Sequence, residues 1–96
     1  MRQRKIVLRL DTLAAFDEDL ARLLAADVDL TPLNYVIGVL LKGKKLNPIY
    51  YDHPLQTRFQ GYRACHIEDD WLLIYEIDKR VLRLIATGTH AELFDR

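Results

Sequence analysis

Residues 71–77 constrain the fold more than any other part of this 96-residue sequence. Nearly every position in this segment is apolar, so both faces of the strand that it forms must be covered, as in the centre of a sheet. A turn at residues 78–80 and a second apolar run at residues 81–86 follow directly. The pattern predicts a central antiparallel hairpin.

Two helices are predicted upstream of this hairpin. Asp11 and Thr12 are candidate N-caps of the first helix, whose acidic residues we expect on its solvent face. Its apolar stripe consists of Leu13, Phe16, Leu20, Leu23 and Leu24. The second helix is expected to begin with Thr31 as N-cap and Pro32 at its first position, and to end at residues 42–44.

The remaining segments complete a small α+β layout. A strand at residues 5–10 precedes the helices, and an irregular connection at residues 43–57 and a strand at residues 59–67 follow them. Residues 89–94 are expected to form a last helical turn. The predicted order is β-α-α-β-β-β with a short final helix, in which a helical hairpin packs on one face of a mainly antiparallel sheet. We expect one domain of residues 1–96.

The charge of the chain is balanced, with 14 basic and 14 acidic residues, which counts against a large electrostatic footprint on nucleic acid. A local basic patch of Lys42, Lys44 and Lys45 can still hold phosphates. The single cysteine, Cys65, excludes an internal disulfide and fits a reducing compartment. No apolar run approaches the length of a membrane span. We therefore expect a cytoplasmic protein without a membrane partner.

All three histidines lie in the second half of the sequence, at His53, His66 and His90. Histidine can give and take a proton near neutral pH. The antiparallel pairing of the predicted strands brings four residues to one end of the sheet: His66, Asp70, Trp71 and His90. The sequence does not place His53. A base, an acid and a group that stabilises negative charge suffice to cleave a phosphodiester that carries its own 2′-hydroxyl.

A metal site is the alternative use of these residue types, since histidine, cysteine and aspartate all bind metal ions. Cys65 and His66 are adjacent, however, and would point to opposite faces of a strand. The sequence has no short-spaced pair of ligand residues, no Gly-rich phosphate loop and no nucleophile elbow. We expect neither a metal nor a cofactor.

Several separated motifs in the second half of the chain occur together, in the same order, in one known family. They are Asp52-His53-Pro54-Leu55, Gly61-Tyr62-Arg63, His66-Ile67, Asp70-Trp71, Ile74-Tyr75, Thr87-Gly88-Thr89-His90 and Leu93-Phe94. With these motifs the chain resembles the YafQ-like branch of the RelE/ParE toxin superfamily, and the resemblance extends to the layout of the whole chain.

The resemblance implies a RelE-like fold and a bacterial toxin of a type II toxin–antitoxin pair. Such a toxin inhibits translation as an mRNA interferase, an endoribonuclease that cuts messenger RNA in the ribosomal A site. It works without a metal, through attack by the 2′-hydroxyl. The implied partners are a cognate antitoxin, the ribosome and messenger RNA. Operator DNA would be contacted only through the antitoxin, when the complex represses its own operon.

The same resemblance implies roles for individual residues. Four residues would carry acid–base chemistry, with base and acid left unassigned: His53, His66, Asp70 and His90. Two aromatic residues would support the site or contact RNA, for example by stacking on a base: Trp71 and Phe94. Arg63 would lie near the scissile phosphate or brace the site. We add three candidate contacts to ribosomal RNA: Lys42, Lys44 and Lys45.

Two positions depart from the family pattern. Ala86 stands where the family has an arginine just before the Thr-Gly-Thr-His segment, and a guanidinium there would stabilise the charge of the transition state. Arg83 is three positions earlier and is predicted to face the opposite side of the strand. We expect either a weak or inactive member or an engineered change at residue 86, and favour the latter. Thr57 stands where relatives often have glycine, so the turn there is expected to differ.

Two other functions stay open at this stage. The first is a non-enzymatic inhibitor that binds DNA gyrase, as ParE-type relatives do. Such an inhibitor would not need the histidines, and inhibition of DNA supercoiling in vitro would support this alternative. The second is a binding module that has lost catalysis and acts only together with its antitoxin in repressing the operon. Ala86 and the neutral net charge favour this alternative.

Overall fold

The computed structural model describes residues 7–56 and 59–94. The elements follow in the order β1 (Arg9–Thr12), α1 (Ala14–Ala25), α2 (Thr31–Leu41), a 3-10 turn (Pro48–Tyr50), β2 (His53–Pro54), β3 (Arg63–Glu68), β4 (Trp71–Asp78), β5 (Val81–Gly88) and α3 (His90–Phe94). The five strands form one sheet in the order β1-β5-β4-β3-β2. Only β1 and β5 pair in parallel among these strands, so the α+β fold with a mainly antiparallel sheet is confirmed.

The sheet has a helix face and a far face. On the helix face, α1 and α2 bury Phe16, Leu33, Val36 and Leu40 against strand residues that include Cys65, Leu73, Tyr75, Leu82 and Leu84. The far face carries a smaller cluster, made of Leu55, Ala64, Leu72, Ile74, Ile85, Ala86 and Leu93. Strand β4 contributes to both clusters and is buried from Trp71 to Tyr75, as predicted for the central strand. Of the helices in the described part of the chain, none is long and apolar enough to cross a membrane.

The start of the first helix differs from the sequence prediction. Strand β1 runs from Arg9 to Thr12 instead of residues 5–10, of which residues 5 and 6 lie outside the described part of the chain. The prediction of Asp11 or Thr12 as N-cap was wrong, because both belong to β1 and Leu13 occupies the cap position. The backbone N–H of Leu13 donates to the carbonyl of Leu84 at 3.0 Å, so pairing with β5 continues up to the helix.

The acids of α1 were predicted to face solvent, and this prediction was wrong for Asp19, which is 2% exposed. Helix α2 also begins differently: Thr31 is its first residue, and the preceding Leu30 is the N-cap. The carboxylate of Asp29 accepts the N–H of Thr31 at 3.0 Å and supplies the cap that Thr31 was expected to provide. The helix ends at Leu41, followed by Gly43 at φ +70°, as predicted.

The connection at residues 43–57 is more ordered than predicted. It contains the 3-10 turn and strand β2, in which His53 pairs with Ala64 and Pro54 pairs with Arg63. The sheet therefore has one strand more than expected. The strand predicted from residue 59 begins only at Arg63, because residues 59–61 form a turn. The expectation for Thr57 falls outside the described residues.

Strand β5 contains a bulge that changes which side chains share a face. Ile74 pairs with Ala86 and Tyr75 pairs with Leu84, which leaves Ile85 as the extra residue. Ile85 and Ala86 consequently both pack on the far face, since a bulge interrupts strict alternation. Arg83 precedes the helix-face residue Leu84 and also lies on the far face. The prediction that Arg83 faces away from residue 86 was therefore wrong.

Candidate active site

The three histidines lie together on the far face of the sheet. His66 is flanked in β3 by Cys65 and Ile67, which pack on the helix face, so its own ring points to the other side. Its ring centroid lies 6.4 Å from that of His53 and 5.8 Å from that of His90. Strand β2 brings His53 to this position, which the sequence did not place. His66 is thus the centre of a histidine cluster formed by His53, His66 and His90.

A backbone carbonyl orients the ring of His53. The Nδ1 atom of His53 lies 2.8 Å from the carbonyl oxygen of Tyr51. A carbonyl can only accept, so Nδ1 carries the hydrogen and donates it, which leaves Nε2 as the free ring nitrogen. The ring of Tyr51 also contacts His53 and His66, with centroid distances of 4.7 and 5.5 Å. Tyr51 is a site residue that sequence reasoning missed, since no pattern indicated its left-handed backbone (φ +48°).

A carboxylate orients His90. The Oδ1 atom of Asp70 lies 2.8 Å from Nδ1 of His90 and accepts the backbone N–H of His90 at 3.1 Å. These hydrogen bonds lower the pKa of the Asp70 carboxyl below its ordinary value of 3.8. Asp70 is therefore ionised at neutral pH, and the Nε2 atom of His90 is left free.

Arg63 lies outside the histidine cluster and holds Asp52, the neighbour of His53. The Oδ1 atom of Asp52 accepts hydrogen bonds from Nε of Arg63 at 3.2 Å and from the hydroxyl of Tyr75 at 2.8 Å. Burial, and then the hydrogen bond to Asp52, raise the pKa of the Tyr75 hydroxyl. Of the two roles predicted for Arg63, this geometry favours bracing. Asp52 belongs to one of the sequence motifs but was not predicted as a site residue.

Trp71 does not join the histidines, although it was expected at the same end of the sheet. Its side chain is only 9% exposed and belongs to the helix-face cluster. The indole N–H donates to Oγ1 of Thr87 at 3.0 Å, and that hydroxyl donates to the carbonyl of Leu72 at 2.7 Å. Trp71 is therefore placed to support the end of β5 rather than to stack on RNA.

Phe94 borders the histidine cluster on the side of α3. Its ring centroid lies 6.0 Å from that of His90 and 5.6 Å from that of Phe59, which it meets edge to face. Phe94 thus closes one side of the cluster.

Position 86 lies in a cross-strand row that leads to His53. Ala86 pairs with Ile74, Ile74 with Ala64, and Ala64 with His53. Ala86 is 4% exposed, and a longer side chain there would extend along the face that carries the histidines. Arg83 cannot take this place, because Asp11 and Glu76 bind its guanidinium at 2.9 and 2.6 Å.

The three lysines lie apart from the histidines, in a lysine groove of about 450 Å³ whose wall includes Tyr35 and Tyr50. Among the described residues, none of these lysines forms an ion pair: Lys42, Lys44 and Lys45. Tyr50 also lines a depression of about 250 Å³ together with His66. One aromatic residue thus borders both the basic groove and the central histidine.

The donor set does not form a metal cage within residues 7–56 and 59–94, where no group of three or more His, Cys, Asp or Glu side chains could hold a metal ion. Cys65 is fully buried on the opposite face from His66. Burial raises the pKa of its thiol to about 12, so the thiolate that a metal ion requires is disfavoured.

Comparison with known proteins gives consistent matches. A family model described as a bacterial toxin of type II toxin–antitoxin system, YafQ, matches residues 8–95. The mRNA interferase toxin YafQ of Escherichia coli K12 is 45% identical over 67 residues, which are 69% of this chain and 73% of that protein.

Solved structures match a larger share of the chain than these 67 residues. The crystal structure of YafQ from E. coli BL21(DE3) has a TM-score of 0.85 at 35% identity and covers 91% of this chain and 98% of its own. The toxin in the E. coli DinJ-YafQ toxin-antitoxin complex has a TM-score of 0.84 at 36% identity and covers 93% of this chain and 99% of its own. A copper-bound mutant toxin from Helicobacter pylori has a TM-score of 0.85 at 37% identity and covers 91% of this chain and 99% of its own.

Proposed function

The chain belongs to the YafQ family of bacterial toxins from type II toxin–antitoxin systems, and we propose that it is an endoribonuclease that cuts messenger RNA. Curated relatives from E. coli have the name mRNA interferase toxin. The observation that carries the proposal is the histidine cluster: three rings with neighbouring centroids 6.4 and 5.8 Å apart, two of them oriented through Nδ1.

The reaction needs two proton transfers, which imidazoles can perform near neutral pH. A base takes the proton of the RNA 2′-hydroxyl, and the 2′-oxygen forms a bond to the adjacent phosphorus. The bond from phosphorus to the 5′-oxygen breaks, and an acid gives this oxygen a proton. The products are a 2′,3′-cyclic phosphate and a 5′-hydroxyl. The proposal assigns no metal or cofactor to this step.

The partners of the two outer histidines suggest their roles. The carboxylate of Asp70 faces Nδ1 of His90 at 2.8 Å, and we assign His90 as the general acid. His53 has a neutral carbonyl as its partner and is assigned as the general base. His66 lies between them and would face the phosphate. In each outer ring the held Nδ1 directs Nε2 toward the substrate, as in other histidine catalysts that are oriented by a second group.

The chain would cut its substrate on the ribosome. A formal net charge of zero gives little general attraction to RNA, so the ribosome would supply the affinity by presenting the message. The lysine groove would contact ribosomal RNA through Lys42, Lys44 and Lys45. The place of action would accordingly be the cytoplasm.

A cognate antitoxin would hold this toxin inactive, as the DinJ-YafQ complex of E. coli suggests. Contact with operator DNA would go through the antitoxin. The uncharged Ala86 predicts weak cleavage, because no guanidinium at this position would stabilise the charge on the phosphorane. Ala86 also favours a second candidate, a toxin whose catalysis has lapsed and which acts only in antitoxin-dependent repression.

The test is cleavage of a translated message by this chain and by its Ala86→Arg variant, mapped at nucleotide resolution with and without ribosomes. We expect cuts that require ribosomes, faster cleavage by the variant, and cleavage slowed by at least about 100-fold when Ala86→Arg is combined with His90→Gln. If neither form cuts the message although both are folded and bind antitoxin, the nuclease proposal is wrong and the lapsed module is supported.

A further inference from the structure

We propose that Asp19 and Arg22 of helix α1 are positioning residues for His90, and that they act by clamping the junction between β5 and α3. The inference rests on the proposed role of His90. It concerns a pair in α1, which packs on the helix face of the sheet and whose acids the sequence predicted to be solvated.

Asp19 is tied to the end of β5. Its Oδ2 atom accepts the backbone N–H of Thr87 at 3.1 Å, and its Oδ1 atom lies 3.1 Å from Nη1 of Arg22. A carboxylate that is 2% exposed is tolerated only with such partners, because burying a charge without them is costly. The position of Asp19 is therefore coupled to that of the β5 backbone three residues before His90.

Arg22 extends this connection to α3. Its Nε atom lies 3.4 Å from Oε2 of Glu92. Glu92 caps α3, since its Oε1 atom accepts the N–H of Thr89 at 2.9 Å while its own N–H donates to Oγ1 of Thr89 at 3.1 Å. The guanidinium of Arg22 thus joins a buried carboxylate below the strand to the first turn of the helix that carries His90.

Gly88 makes room for this arrangement. A Cβ atom at residue 88 would lie 2.7 Å from Oε1 of Glu92 and 3.5 Å from Nη2 of Arg22. The first of these distances is shorter than any normal contact. A side chain at this position would therefore displace the carboxylate of Glu92, which holds Arg22 at the junction.

The clamp matters because the other support of His90 is exposed. The Asp70–His90 pair has side-chain exposures of 63% and 57%, and exposed ion pairs hold geometry weakly. The backbone on both sides of His90 is fixed instead by Thr87 and Glu92, which α1 holds. Without α1, only this exposed pair would hold the start of α3, so His90 could move away from both Asp70 and His66.

The experiment compares Arg22→Gln with Arg80→Gln, a matched control at an exposed arginine in the β4–β5 turn. Amide hydrogen exchange of His90 and Leu73 and the pKa of the Asp70 carboxyl are measured by NMR. We expect His90 exchange to quicken by about 10-fold while Leu73 in the core is unchanged, since local opening leaves the rest folded. The pKa of Asp70 should rise toward its ordinary value. In the Ala86→Arg background, kcat should fall by about 10-fold with KM unchanged.

Glu92→Gln provides a second route, because its amide oxygen can still accept from Thr89 while the charge that binds Arg22 is removed. It should shift the same signals in the same direction, and it decides the question if Arg22→Gln does not fold. Unchanged His90 exchange and Asp70 pKa in the folded variants would overturn the clamp. If the Ala86→Arg parent does not cut RNA, the nuclease proposal fails separately, and the two NMR readouts still decide whether α1 holds His90.

Discussion

One carboxylate oxygen of Asp70 binds His90 twice, accepting the backbone N–H at 3.1 Å and facing the ring Nδ1 at 2.8 Å. The first bond ties the start of α3 to the turn before β4, and the second sets the direction of the imidazole. Both depend on an ionised Asp70, so the arrangement of His90 is linked to the protonation of a single group.

Asp70→Asn should therefore change how stability depends on pH. Because the folded-state pKa of Asp70 is lowered, its carboxylate stabilises the fold above the ordinary pKa of 3.8, and this contribution is lost as the pH falls through the lowered folded value. We expect the free energy of unfolding to fall more steeply for the native chain than for Asp70→Asn between about pH 5 and about pH 2. Urea titrations across this range measure the difference. Asp69→Asn is the control, and equal slopes for the native chain and Asp70→Asn would contradict the expectation.

Removing either outer imidazole should stop proton transfer without unfolding the protein. In the Ala86→Arg background, we expect His53→Gln and His90→Gln each to lower kcat by about 100- to 10,000-fold, the usual contribution of a general acid or base. The measurement is cleavage of a translated message under single-turnover conditions. The control is Asp17→Asn, at an exposed residue of α1. A message with a 2′-deoxy sugar at the cut site should stay intact. Cleavage of that deoxy substrate would rule out attack by the 2′-hydroxyl.

Asp19→Ala should destabilise the fold far more than the same change at a neighbouring acid. It leaves the buried N–H of Thr87 without its acceptor, which costs about 1–3 kcal/mol of the free energy of unfolding. The matched variant Asp17→Ala, on the exposed side of the same helix, should cost less than about 0.5 kcal/mol. Chemical denaturation measures both values. Similar values for the two variants would show that the hydrogen bond from Thr87 to Asp19 adds little.

The lysine groove should contribute to ribosome binding through charge. Replacing Lys44 and Lys45 by Gln is expected to weaken binding and to reduce the slope of log affinity against log salt by about 0.7–0.9 for each phosphate that the protein no longer neutralises. Lys79→Gln, in the turn after β4, is the control. Binding to purified ribosomes at several salt concentrations gives the slopes. An unchanged slope would place the ribosome-binding surface elsewhere on the protein.

The sequence predicted the central hairpin because burial on both faces leaves a strong pattern in β4. It did not predict the burial of Asp19, since an acid at the end of an acidic run such as residues 17–19 normally faces water, and its partner Thr87 is 68 residues away. Strand β2 was missed because two residues are too short to show a period, although they bring His53 to His66. The facing of Arg83 was predicted wrongly because a bulge has no local signature in an apolar strand. Local periodicity therefore indicated the scaffold, while long-range contacts decide how the site is assembled.

The bulge at Ile85 has a consequence for how freely this fold can vary its chemistry. In a strictly alternating strand only every second side chain points to a given face of the sheet. One position on the far face would then have to serve both the apolar cluster and the candidate active site. With the additional residue, Ile85 and Ala86 both lie in that cluster, and the larger Ile85 supplies most of the packing at this point. An exchange at residue 86 therefore leaves Ile85 in place, and under the proposed function cleavage activity would be lost or regained by changing this one residue.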